Sequence, residues 1–117
     1  MLQLEKLPIE YHGQTYELVC NMEALELLEE EYGDMKTVMN DSIDHVSAAL
    51  FRIMLNCARA DRGEEPVDKR TIARAYSYAM LREMDIFGLF LRAMSPEAAN
   101  RKVAENSPKA AEEPAKN

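Results

Sequence analysis

Tryptophan is absent from this 117-residue chain and aromatic residues make up only 7% of it, so Leu, Met, Ala and Ile must fill the core. Basic residues are also short, 14 Lys and Arg against 21 Asp and Glu. That balance argues against a nucleic-acid partner, because phosphate binding needs a clustered surplus of cations. The two cysteines, Cys20 and Cys57, belong to no CxxC pair. No metal site and no disulfide framework follows from them, and both are expected to be reduced, small and buried. No apolar run approaches the roughly 20 residues needed to cross a bilayer. No basic segment followed by an apolar stretch opens the chain, so no membrane role is expected and the expected compartment is the cytoplasm.

Chemistry is equally scarce. There is no GxxxxGK[ST], HExxH or GxSxG motif. Gly13, Gly33, Gly63 and Gly88 suit turns, helix ends or close packing. His12 and His45 are isolated, and His45 falls in the first turn of a helix, where a capping or surface role is expected. Glu29, Glu30 and Glu31 are consecutive on a helix and cannot converge on one cation. Asp34, Asp41 and Asp44 lack calcium-loop spacing and read as caps. No catalytic, cofactor-binding or metal-binding residue is nominated, and an enzyme is not expected.

The remaining composition, 47% hydrophobic and 30% charged, is that of a single globular domain. Its charge is uneven. Met1 to Asp44 holds 11 acidic and 2 basic residues, His45 to Met94 holds 6 and 8, and the rest is balanced at 4 and 4. An acidic part facing a mildly basic one suits self-association or a basic helical partner.

The pattern predicts a mainly α fold: a small N-terminal β-hairpin followed by a compact bundle of about four to five helices. Ile9–Tyr11 and Tyr16–Cys20 favour extended backbone around a turn at residues 12–15. Asn21 caps an acidic helix that Gly33 stops. Asp34 caps a short turn, and Asn40-Asp41-Ser42 starts the longest helix, Ile43 to about Ala60. That helix is apolar nearly all round, with His45, Arg52, Asn56 and Arg59 as a narrow polar stripe, so it belongs at the centre. A Gly/Pro loop over residues 61–66 follows, and Asp68 caps the next helix, with a bend near Ser77-Tyr78. The domain is expected over residues 1–94, followed by a mobile polar tail over 95–117 whose composition cannot offset its ordering entropy.

Residues 80–94 are denser in large apolar groups than one core face needs. Met84, Phe87, Leu91 and Met94 form one stripe, while Ile86, Leu89 and Phe90 point elsewhere. A helix of this kind is expected to be covered on two sides, by its own domain and by a partner. With eight methionines in the chain, flexible thioethers suit such a surface. Met80, Met84, Phe87, Phe90, Leu91 and Met94 are therefore the expected partner-binding residues.

The run Gly13-Gln14-Thr15-Tyr16-Glu17-Leu18, then Asn21 to Gly33 reading NMEALELLEEEYG, resembles the "G-x-x-Y-x-L … N-x-x-A-L-x-x-L-E-E-x-x-G" pattern of tail assembly chaperones from long-tailed bacteriophages and prophages. The order of features resembles theirs over residues 9–94. The resemblance implies a non-enzymatic role in the host cytoplasm: coating the long helical tape measure protein until tail tube subunits polymerise around it. It also implies copies that associate with one another, and a longer form made by ribosomal frameshifting near Ala115-Lys116-Asn117. Two other readings compete. One is a small acidic phage-encoded regulatory or inhibitory binding protein. The other is a helical DNA-binding domain using Arg70, Arg74 and Arg82, which the negative net charge disfavours.

Overall fold

A computed structural model describes residues 3–95. The expectations for the tail, its mobility and the frameshift junction among them, lie outside the described residues. Strands β1 (Lys6–Tyr11) and β2 (Gln14–Val19) pair antiparallel with Ile9 opposite Tyr16. The turn is tighter than the sequence suggests. His12 and Gly13 alone make it, with φ of 51° and 79°, the signs that a two-residue hairpin turn needs to match strand twist. Alternation then buries Tyr16, Leu18 and Cys20 on one face. A lone hairpin is unstable in water, and this one lies against the long helix.

Six helices follow among the described residues: α1 (Met22–Tyr32), α2 (Met35–Met39), α3 (Ile43–Ala60), α4 (Lys69–Ala75), α5 (Tyr78–Glu83) and α6 (Ile86–Met94). The caps read from sequence are in place. Asn21, Asp34, Ser42 and Asp68 each accept from the backbone N–H three residues on, at 3.0, 2.8, 3.1 and 2.8 Å. Gly33 closes α1 at φ 96°, a conformation that side-chain-bearing residues avoid. Central α3 touches β2, α1, α4, α5 and α6, and it buries Val46, Leu50, Phe51, Ile53, Met54 and Leu55.

Several expectations are corrected. The apolar stretch 80–94 is not one helix, because Asp85 turns the chain at φ 60° between α5 and α6. Gly88 makes room for that turn, since a Cβ there would collide with the Asp85 carboxylate. Asp41 and Asp44 are not the caps expected: Ser42 caps α3, Asp41 accepts from Tyr32 and from the Ser42 N–H at 2.8 Å each, and both Asp44 oxygens accept from Arg82, at 3.1 and 2.7 Å. Cys20 is buried but Cys57 is only half-buried.

His45 stays exposed, but the rest of the polar stripe of α3 reaches neighbouring elements. Arg52 donates to Glu31 at 2.6 Å, holding α1 to α3. Asn56 donates to the Val67 carbonyl at 2.9 Å and accepts from the Val67 N–H at 2.7 Å, so one amide fixes the loop before α4. Arg59 donates to the Glu65 carbonyl at 2.8 Å and the Tyr16 hydroxyl at 3.1 Å. Tyr16 in turn donates to Glu64 at 2.6 Å, and that bond together with burial raises its pKa above the ordinary phenol value. Arg62 covers the Tyr16 ring at 4.2 Å and reaches Gln14 and the Thr15 carbonyl. The hairpin is thus tied to the C-terminal end of α3 and the loop after it through the Tyr16 ring and through Gln14 and Thr15.

Candidate functional site

The expected partner-binding residues lie on α5 and α6, whose positions are set by polar ties at both ends. Ser77 opens α5 by accepting from the Met80 N–H at 3.2 Å. Leu81 anchors α5 in the core, and the bidentate Arg82–Asp44 pair pins it beside the start of α3. On α6, Ile86, Leu89 and Phe90 are buried together. Arg92 then donates twice to Glu5, at 2.7 and 2.9 Å, and once to Asp85 at 3.1 Å. That guanidinium is itself well covered, and it ties α6 both to the chain ahead of β1 and to its own first turn.

These ties leave an outer edge on α6. Phe87, Leu91 and Met94 recur at i, i+4 and i+7, which places them on one line of a helix. Phe87 is half-buried and rests on Phe90 at 5.5 Å between ring centroids. Leu91 is 38% exposed and Met94 41%. On α5, Met80 is 42% exposed, and Met84, just past the end of that helix, is half-buried against the core. Phe90 is a correction. It follows Ile86 by four residues, shares that residue's inward face, and is fully covered, so it supports the stripe from beneath and offers no surface.

Sequence reasoning missed two grooves. The first, about 770 Å³, runs between the end of α1, the start of α3, and α4 and α5, with walls that include Tyr32, His45, Ile72, Tyr76 and Tyr78. Several of its polar groups are engaged. Tyr32 donates to Asp41 at 2.8 Å, and burial first, then that bond, pushes its pKa up to about 12. The same bond, with the Ser42 N–H, holds the Asp41 carboxyl below its usual range. His45 Nδ1 lies 3.2 Å from Asp41. Although Ser77 lines the same groove, its Oγ accepts from Met80 rather than from His45. The second groove, about 570 Å³, is walled by Leu4, Met22, Leu25, Leu89 and Ala93 with Cys20. Burial pushes the Cys20 thiol up to about 12, so no reactive thiolate forms there at neutral pH. Neither groove was legible, because each collects residues from elements distant in sequence.

Among the described residues no group of three His, Cys, Asp or Glu could hold a metal ion, and no helix is long and apolar enough to cross a membrane. Arg82, the one arginine of the DNA-binding reading whose partner is seen, is occupied by Asp44. No protein-family model, curated protein or solved structure matches this chain.

Proposed function

We propose that this chain is a non-enzymatic tail assembly chaperone, acting in the host cytoplasm to cover a helical tape measure protein before the tail tube forms. The observation that carries the reading is the Phe87–Leu91–Met94 line of α6. It is apolar, partly exposed, spaced as a helix-packing ridge, and mounted on a helix whose opposite side is core. A ridge at i, i+4, i+7 packs into the groove of another helix, and methionine lets it follow an irregular client surface. The hairpin–helix pattern from Gly13 to Gly33 supplies the resemblance to the family. In the larger groove the Tyr32 phenol and the Asp41 carboxylate are already hydrogen-bonded to each other, which favours recognition over proton transfer.

Co-expression with the product of a long helical reading frame encoded beside this gene tests the reading. The chain is expected to bring that product into the soluble fraction, and Leu91→Asp to abolish the effect. The absence of such a reading frame, or a client that stays insoluble with the wild-type chain, would overturn it.

A further inference from the structure

The ionic groups of the fold divide into those spent inside the molecule and those left facing out. Arg52, Arg59, Arg82 and Arg92 each hold an acid of another element or turn. No ion pair is formed, among the described residues, by Glu23, Glu26 or Glu30 of α1, or by Lys69, Arg70 or Arg74 of α4. These two sets have matching geometry. On α1 the buried residues are Ala24 and Leu28, so Glu26 and Glu30, an i,i+4 pair, lie opposite the core with Glu23 beside them. On α4 the buried residue is Ile72, so Arg70 and Arg74, also an i,i+4 pair, lie opposite the core.

Each pair is unfavourable where it stands, because like charges one helical turn apart repel. The repulsion falls on short helices, seven residues in the case of α4. One row brought against the other relieves both at once, at the same spacing of one turn. The acidic row is also flanked by partly exposed apolar side chains: Met22 is 75% exposed and Leu27 38%. Aliphatic arginine stems lie well against such groups.

We infer that the outward face of α1 is a docking surface for α4 of a second copy of this chain, with Glu26 and Glu30 meeting Arg70 and Arg74. The two faces differ, so each copy carries one of each kind. The α6 edge takes no part and remains free for another partner.

Light scattering coupled to size-exclusion chromatography tests this on the full chain with no client present, so its result is separate from that of the chaperone reading. The wild-type mass is expected to exceed the monomer at about 50 mM salt and to fall towards it at about 500 mM, as screening shortens the reach of exposed charges. E26K/E30K alone and R70E/R74E alone are expected to be monomeric, because each puts like charge against like. An equimolar mixture of the two is expected to associate, and so is the chain carrying all four changes. Should a reversed variant lose its fold, E26Q/E30Q carries the same test with a partial loss. A wild-type chain that is monomeric at low salt, variants that associate as wild type does, or a mixture that stays monomeric would each overturn the inference.

Discussion

Replacing Leu91 with Asp separates a surface role from a core role, because Phe90 beside it provides the contrast. Burying a whole leucine side chain is worth about 1.5–3 kcal/mol. With Leu91 38% exposed, losing its remaining burial costs about 1–2 kcal/mol. A carboxylate near the C-terminal end of α6 adds about 0.3–1 kcal/mol through the helix dipole. The total of about 2 kcal/mol lowers the melting temperature by about 8–16 °C in a domain of this size. Such a protein still folds at 25 °C, since domains have about 5–15 kcal/mol in hand. Phe90→Asp places an unpaired charge in a fully covered site and is expected to abolish folding. Far-UV circular dichroism melts should therefore show a helical Leu91→Asp protein and an unfolded Phe90→Asp protein. Binding of a client helix should weaken at least about 30-fold in Leu91→Asp, the loss expected of a central interface anchor worth about 2 kcal/mol. If Leu91→Asp unfolds as Phe90→Asp does, the edge of α6 is core. If it folds and binds unchanged, the client lies elsewhere.

Asn56→Ala removes both hydrogen bonds to Val67, and a loss of about 1–3 kcal/mol is expected; a thermal melt within about 2 °C of wild type would show that the loop is held by other means. Asp41 and Asp44 have carboxyls held below the usual range, by the Tyr32 hydrogen bond and by Arg82 respectively. Their contribution is thus whole above the ordinary carboxylate pKa and lost as pH falls through it towards the lower folded value. Urea midpoints between pH 6 and pH 3 should fall less steeply in Asp44→Asn than in wild type, and an identical slope would contradict the pairing. Burial raises both thiols, Cys20 to about 12, but Cys57 is only half-buried. A thiol reagent at pH 8 should therefore label Cys57 first and Cys20 only after denaturant is added, whereas rapid native labelling of Cys20 would mean that the hairpin lifts from α3.

How much of this was legible follows from the range of each interaction. Caps are local: Asn21, Asp34, Ser42 and Asp68 bond three residues ahead, and a reader of the chain sees donor and acceptor together. The hairpin, the order of helices and the apolar character of α3 are local patterns too. The break at Asp85 is not, because neither glycine nor proline stands at it. A left-handed aspartate is held there by Arg92, seven residues on, and by the space above Gly88. The stripe Arg52, Asn56, Arg59 was legible as polar but its partners were not, because they lie 21, 11 and 43 residues away, at Glu31, Val67 and Tyr16. Of the expected partner-binding set, the residues beside the inward face were separable from it only once α6 was known to begin at Ile86.

The uneven charge of the chain looks different once those ties are counted. Helices of six to nine residues, as α4, α5 and α6 are, do not hold themselves together in water. The last two are fixed instead by arginines reaching back to the acidic N-terminal part, Arg82 to Asp44 and Arg92 to Glu5. Much of the imbalance between the two halves is therefore consumed within one molecule, where it sets the position of the apolar edge of α6. The outward rows of α1 and α4 are among the charges that stay unspent. Screening by salt should accordingly act twice, weakening association through exposed rows first and leaving the well-covered Arg92 clamp, and with it the α6 edge, in place.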